Sequence, residues 1–270
     1  MYESYWNLKD KPFENTPDPR FFYLSRQHNE ILSRFMYVIE QRKQMAMFTG
    51  EYGSGKTLAN MMMLSRYKDK LDYRIALIIN PRLELLDFLR EIHYQLKKDT
   101  ACGMTKFEIL NSLRETILEN PHLKKVIIID EAQMIEDLNV FEELRLLSNL
   151  TFTNQFLTSI ILVGQPQLKE KIYQIPQLRQ RIALVHHLGH LAQDEVKDYV
   201  NYRLRIAGAR YTIFSEESMG FISESTKGVP RLINTLCDIS LAIGKAQGKS
   251  VIDKEIIEQV SGEIIKEINA

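Results

Sequence analysis

Gly50-Glu51-Tyr52-Gly53-Ser54-Gly55-Lys56-Thr57 fits the pattern G-x-x-x-x-G-K-[ST] at every fixed position. The apolar run Met45-Ala46-Met47-Phe48 leads into it, and Leu58-Ala59-Asn60-Met61-Met62-Met63-Leu64, rich in helix formers, leaves it. The context is strand, glycine loop, helix, which the pattern requires before it carries meaning. Glycines let backbone N–H groups turn inward around a phosphate without Cβ clashes. The following helix adds the positive end of its dipole and its free N–H groups. On this reading Gly50 through Leu58 cradle the phosphates of ATP. Lys56 reaches the β- and γ-phosphates, and the Thr57 hydroxyl binds Mg²⁺.

Lys124-Lys125-Val126-Ile127-Ile128-Ile129-Asp130-Glu131 is the second chemical landmark. Its aliphatic residues predict a buried strand with two carboxylates at the carboxyl end, the end at which open α/β sheets bind ligands. Downstream of a glycine loop, Asp130 is expected to hold the Mg²⁺ that accompanies ATP. Glu131 is expected to polarise the attacking water as general base. Tyr73–Ile79 predicts a strand buried on both faces, and Ser159–Gly164 a further buried strand. Gln165, at the end of the latter, reads either as a turn residue before Pro166 or as a γ-phosphate sensor that orients water. Arg179 and Arg181 precede a last strand, Ala183–Leu188. They read either as a solvated basic turn or as arginines supplied to a neighbouring subunit's nucleotide. His186 and His187, adjacent on that strand, face opposite ways and so do not converge on a metal.

Composition narrows the class. Lys+Arg and Asp+Glu are equal at 35 each, so the formal net charge is +0, which argues against a dominant nucleic-acid or anionic-membrane surface. Cys102 and Cys237 lie far apart and suggest reduced thiols in a cytoplasmic protein. The start, Met1-Tyr2-Glu3-Ser4-Tyr5-Trp6, lacks the plan of a signal peptide. No run approaches the ~18–20 apolar residues of a membrane span.

The chain divides by character. Residues 1–25 carry three closely spaced prolines, Pro12, Pro17 and Pro19, among many aromatics, which excludes both a long helix and a disordered tail. They read as an arm packed on the domain surface, as a stretch that lays Phe22, Tyr23 or Leu24 on an adenine ring, or as both. Ser25–Gln41 predicts a helix. Asn80-Pro81 predicts a helix start, and Thr105-Lys106-Phe107-Glu108 a capping box. After Ala192 only helices are expected. One opens at Ser215, one at Pro230, and one at Asp253 with Ile256, Ile257, Val260, Ile264 and Ile265 inward. The expected division is an α/β nucleotide-binding core with its arm over residues 1–190 and a helical lid over 191–270.

Taken in order, the glycine loop, Asp130-Glu131, Gln165, Arg179 and Arg181 before a fifth strand, and Gly228-Val229-Pro230-Arg231 resemble the AAA+ ATPases. Within them the chain looks like the secretion and pilus-biogenesis group, of the general secretion pathway protein A (ExeA) and MshM types. The stretch Pro12-Phe13-Glu14-Asn15-Thr16-Pro17-Asp18-Pro19-Arg20-Phe21, with Ser25 and His28 beyond it, carries that narrower link. The resemblance covers essentially the whole chain. It implies a P-loop fold with a five-stranded parallel sheet in the order 5-1-4-3-2, flanked by helices, and ATP bound between core and lid and across a subunit interface. It makes Lys56 and Thr57 Walker A residues and Asp130 and Glu131 Walker B residues. Gln165 takes the sensor-1 place, Arg181 that of the arginine finger with Arg179 as rival, and Arg231 that of sensor 2. The longer secretion proteins continue into a membrane span and a periplasmic domain, so the chain is expected to be a short member or a piece of a longer one.

The function expected is Mg²⁺-dependent ATP hydrolysis by a homo-oligomeric ring or filament that energises or regulates assembly of an envelope secretion or pilus machine. It is expected to work in the cytoplasm, with inner-membrane association through partners. The alternative is a DNA-associated ATPase of the transposition-regulator type, which duplex binding with a steep salt dependence would reveal. A nucleotide switch with little turnover is a third class, against which the intact Glu131 argues.

Overall fold

Five short strands form a single parallel sheet, and the two chemical motifs begin at the carboxyl ends of two of its interior strands. The computed structural model describes residues 2–268, with side chains through Glu263. It separates into two bodies. One comprises Asn29–Tyr52 and Ala59–Leu188, the other Met1–His28, Gly53–Leu58 and Gly189–Ala270.

The first body holds the sheet. Its strands are β1 (Met45–Gly50), β2 (Tyr73–Ile78), β3 (Lys124–Ile129), β4 (Thr158–Gly164) and β5 (Ile182–Leu188). Every pairing is parallel and the spatial order is β2-β3-β4-β1-β5, the expected 5-1-4-3-2. Parallel strands need crossovers, and helices supply them. α1 (Arg26–Glu40) precedes β1, and the crossovers are α2 (Lys56–Tyr67), α3 (Leu85–Lys97), α4 (Lys106–Glu119), α5 (Leu138–Ser148), α6 (Gln167–Tyr173) and α7 (Pro176–Arg179).

Alternation along each strand divides the core between the two faces. Met45, Met47, Ile127, Ile129, Ile160 and Leu162 join residues of α3, α4 and α5 in one cluster. Ala46, Phe48, Val126, Ile128, Ile161 and Val163 join Ile31 and Phe35 of α1 and Ala59 and Met63 of α2 in the other. Phe35 stacks on Phe48 with ring centroids 4.1 Å apart.

Three local expectations change. β2 is not buried on both faces: it is an edge strand, and only Ala76 and Ile78 are fully buried. The helix expected from Asn80 begins at Leu85, because Asn80 Oδ1 instead accepts from the Arg82 N–H in a local turn. The run before β4 forms an unforeseen hairpin, Thr151–Phe152 against Gln155–Phe156. Its two turn residues, Thr153 and Asn154, have φ of 45° and 64°, the paired positive φ of a tight hairpin turn. By contrast, the Thr105 capping box forms as read.

The second body is helical: α8 (Gln193–Ile206), α9 (Glu216–Thr226), α10 (Pro230–Ala246) and α11 (Lys254–Ile268). The N-terminal arm was expected to accompany residues 1–190 as part of the core, but it groups with these helices. Trp6, Phe13 and Phe21 are buried among Val200, Leu204, Leu236 and Leu241. The Trp6 indole N–H donates to Leu241 O at 2.9 Å. Buried Arg203 donates to the arm carbonyls of Pro12 and Glu14. Aromatic area and satisfied polar atoms, not secondary structure, hold a proline-rich stretch in place. Ile256, Ile257 and Val260 are buried as read; Ile264 and Ile265 lie outside the described side chains. Among the described residues no helix is long and apolar enough to cross a membrane.

Candidate functional site

In the second body, the loop after β1 turns on Gly53 and Gly55, whose φ values are 77° and 96°. Both lie in the region that favours glycine. A Cβ at Gly53 would meet Arg231 Cβ at 2.8 Å and Val229 Cγ1 at 3.5 Å. Gly228-Val229-Pro230-Arg231 therefore packs directly on the loop. Gly228 is itself required: its φ is 73°, and a Cβ there would fall 2.1 Å from Leu191 O. Pro230 opens α10, where its missing N–H has no intrahelical acceptor to lose.

Lys56 is 6% exposed, and Ser54 is 1% exposed with no partner for its Oγ. Gly50 is buried, Glu51, Tyr52 and Thr57 are exposed, and Leu58 is half-buried. An orphaned buried hydroxyl beside a buried lysine, in a loop whose glycines leave no room for Cβ atoms, fits a phosphate chain. Taken singly, Thr57 in this body offers a hydroxyl and Asp130 in the first body a carboxylate. Such all-oxygen donors suit Mg²⁺, which takes few protein ligands and keeps phosphate and water oxygens.

In the first body, Asp130 follows β3 and is 2% exposed, its N–H donating to Ile78 O at 2.8 Å. Glu131 adopts φ 50° and ψ 37°. Its N–H donates to Asp130 Oδ1 at 2.9 Å. Two amides face its carboxylate: Gln133 Nε2 donates to Glu131 Oε2, and Gln165 Nε2 approaches the same oxygen at 3.4 Å. Gln133 Oε1 accepts from the Gln165 N–H at 3.1 Å, and Lys171 Nζ donates to Gln133 O at 2.8 Å. Gly164 makes room, since a Cβ there would lie 2.4 Å from Gln133 Oε1. Gln165 and Glu131 thus lie side by side. Gln133 was missed; the signal available was a second amide two residues past the acidic pair.

The two arginines differ. Arg179 ends α7 with its guanidinium over the Tyr173 ring, 4.5 Å from the centroid. Arg181 is exposed just before β5, and its side chain pairs with none of the described residues. His187 Nδ1 lies 3.1 Å from Thr49 Oγ1 and His186 Nδ1 4.0 Å from Glu30, so the two histidines serve different neighbours. In the arm, Phe22 is buried against His28, Leu24 is exposed, and Tyr23 packs edge-on to Tyr199, 5.9 Å away, and tilted on Tyr202 at 5.7 Å.

The AAA domain family matches residues 39–172. With the parallel sheet in the order above and the P-loop after β1, residues 39–172 carry an AAA domain on an AAA+ P-loop fold. Over 258 residues it is 34% identical to General secretion pathway protein A of Aeromonas hydrophila, covering 93% of this chain and 46% of that protein. It is 27% identical over 147 residues to the uncharacterized HTH-type transcriptional regulator MJ0774 of Methanocaldococcus jannaschii, over 53% of this chain and 36% of that one. The chain therefore spans less than half the length of these curated relatives. Among solved structures, the ORC2 protein of Aeropyrum pernix in its ADPNP-ADP complexes superposes with a TM-score of 0.71 at 19% identity, over 95% of this chain and 72% of that one. CDC6P from Pyrobaculum aerophilum gives 0.71 at 19%, over 92% and 71%. At such identities the likeness is one of fold.

Proposed function

We propose that the chain binds ATP with Mg²⁺ and hydrolyses it as a homo-oligomeric ring or filament. The work is to energise or regulate assembly of a bacterial envelope machine, for type II secretion or type IV pilus biogenesis. The observation that carries the hydrolytic reading is Glu131, facing the amides of Gln133 and Gln165 at the carboxyl end of β3, in a chain with a complete P-loop. Lys56 neutralises β- and γ-phosphate charge, and the loop amides bind their oxygens. Glu131 takes the proton of the attacking water, and Gln165 orients that water. Arg231 adds charge from the first turn of α10, and Arg181 serves the nucleotide of a neighbouring copy, with Arg179 as its rival. Thr57 and Asp130 would hold Mg²⁺, which when bound screens charge on the transferring phosphoryl group. The adenine is assigned to the side of the arm that bears Tyr23.

Phosphate release from ATP with Mg²⁺, by the parent and by Lys56→Ala, tests the reading. Turnover by the parent and none by Lys56→Ala is expected; a parent without turnover at any protein concentration refutes it. The envelope role rests on similarity to General secretion pathway protein A, and the cytoplasmic location on reading the free Cys102 and Cys237 as reduced thiols. Loss of secretion or piliation on disruption of the gene is the expected outcome. The formal net charge of +0 ranks this above a DNA-associated ATPase of the transposition-regulator type. Duplex binding that falls steeply with salt would reverse that order.

A further inference from the structure

His28 stands two residues into α1 and is 6% exposed. Ser25 precedes the helix, and its Oγ accepts from the His28 N–H at 3.2 Å, as a helix N-cap does. The same Oγ lies 2.7 Å from His28 Nδ1. A hydroxyl that accepts from the backbone is free to donate its hydrogen to Nδ1. That makes Nδ1 an acceptor and leaves the ring proton on Nε2. His28 Nε2 in turn lies 3.2 Å from Ser54 O, a backbone carbonyl of the glycine loop. A carbonyl only accepts, so Nε2–H is the donor. Acceptance at Nδ1 requires the neutral ring, and burial holds the imidazole below its ordinary pKa, opposed by the bond to Ser54 and by Glu195. Phe22 closes the other side, edge-on with its centroid 5.1 Å away.

The contact has a consequence for the phosphates. In a trans peptide the C=O of one residue and the N–H of the next point opposite ways. Pinning Ser54 O toward His28 therefore aims the Gly55 N–H away from it, on the side where the loop must present donors. It also keeps a carbonyl dipole from turning toward the anion. Gly55 makes the approach possible: a Cβ there would lie 2.7 Å from His28 Nε2. The imidazole occupies the space that any other residue at position 55 would fill.

We propose that His28, its tautomer fixed by Ser25, is a positioning residue for nucleotide binding: it orients the Ser54–Gly55 peptide so that the loop receives the phosphates. The inference rests on the nucleotide reading given above. It places the Ser25–His28 pair, at the junction of the arm and α1, in the working of the loop.

The test is ADP binding by titration calorimetry and ATP turnover in His28→Gln, His28→Asn and His28→Phe, with Lys56→Ala alongside. Glutamine can put an N–H near the Nε2 position. Asparagine reaches only the Nδ1 position, and phenylalanine fills the volume without a donor. His28→Asn and His28→Phe are expected to weaken ADP binding about tenfold, the scale of one lost hydrogen bond. Their KM for ATP should rise while kcat changes less than about twofold, a split that general loosening of the fold would not give. His28→Gln should recover binding to within about threefold. If the asparagine and phenylalanine variants do not fold, Ser25→Ala decides: it keeps the ring, frees the tautomer and should weaken ADP binding. Parent-like affinity in folded His28→Asn and His28→Phe, or in Ser25→Ala when it is the deciding variant, overturns the proposal while Lys56→Ala still loses binding. Parent-like affinity in Lys56→Ala overturns the nucleotide reading itself.

Discussion

Glu131 holds a left-handed backbone conformation, which costs a residue with a Cβ about 1–2 kcal/mol. The turn aims its carboxylate at the amides of Gln133 and Gln165. Glu131→Gln preserves the shape and removes the base. It should bind ATP as the parent does while turnover falls at least ~100-fold; parent-rate phosphate release would remove Glu131 from the mechanism. His28 supplies a pH dependence. Its folded pKa is depressed by burial, so the unfolded chain takes up the proton first as pH falls. The contribution is complete above about pH 6.5 and is lost as pH drops from there toward the depressed folded value. Urea midpoints at about pH 7.5 and 5.5 should therefore fall further in the parent than in His28→Gln. Equal falls in the two would show that His28 is not the group responsible.

At the scale of elements, the motif Gly228-Val229-Pro230-Arg231 works because each residue solves a local problem. Lys227 ends α9 in a left-handed cap, Gly228 continues at positive φ against Leu191 O, and Pro230 starts α10. Gly228→Ala places a Cβ on a backbone carbonyl and should lower stability by at least ~2 kcal/mol in urea unfolding. Gly220, exposed within α9, has open space at its Cβ position. Gly220→Ala should raise stability by about 0.5–1 kcal/mol. The opposite signs separate a glycine the fold needs from one it tolerates; a mild Gly228→Ala would show that the junction can shift. Element starts were legible where the cap is local, as at Thr105, Ser215 and Asp253. At Asn80 the side chain capped a turn instead of a helix, a choice between two local hydrogen bonds that spacing does not resolve.

At the scale of the whole molecule, Arg181 is an exposed cation with no pairing among the described residues, whereas Arg179 already lies on Tyr173. If Arg181 serves a neighbouring copy, ATP should drive self-association of Glu131→Gln in sedimentation; a monomer with and without ATP would sink the oligomer. Arg181→Ala should lose ~10³-fold or more in turnover with nucleotide affinity nearly intact. Lysine should not replace it, because a compact ammonium lacks the planar fork. Mixing Arg181→Ala with Lys56→Ala should restore some hydrolysis, since each contributes what the other lacks. A dead Arg179→Ala beside a mild Arg181→Ala would assign the finger to Arg179, and no recovery on mixing would remove the trans-acting mechanism.

The residues alone determined the P-loop, the acidic pair after β3, the sheet order through family resemblance, and the helical character after Ala192. Those features are local in sequence: fixed spacings, apolar runs and caps report them directly. Only the tertiary structure decided that the proline-rich arm belongs with the C-terminal helices, that β2 is an edge, that Gln133 faces Glu131, and that His28 holds the carbonyl of Ser54. Each of these joins residues whose contact depends on how the chain returns on itself, and a side chain's type says what it can bond to, not which distant partner the fold will bring within reach.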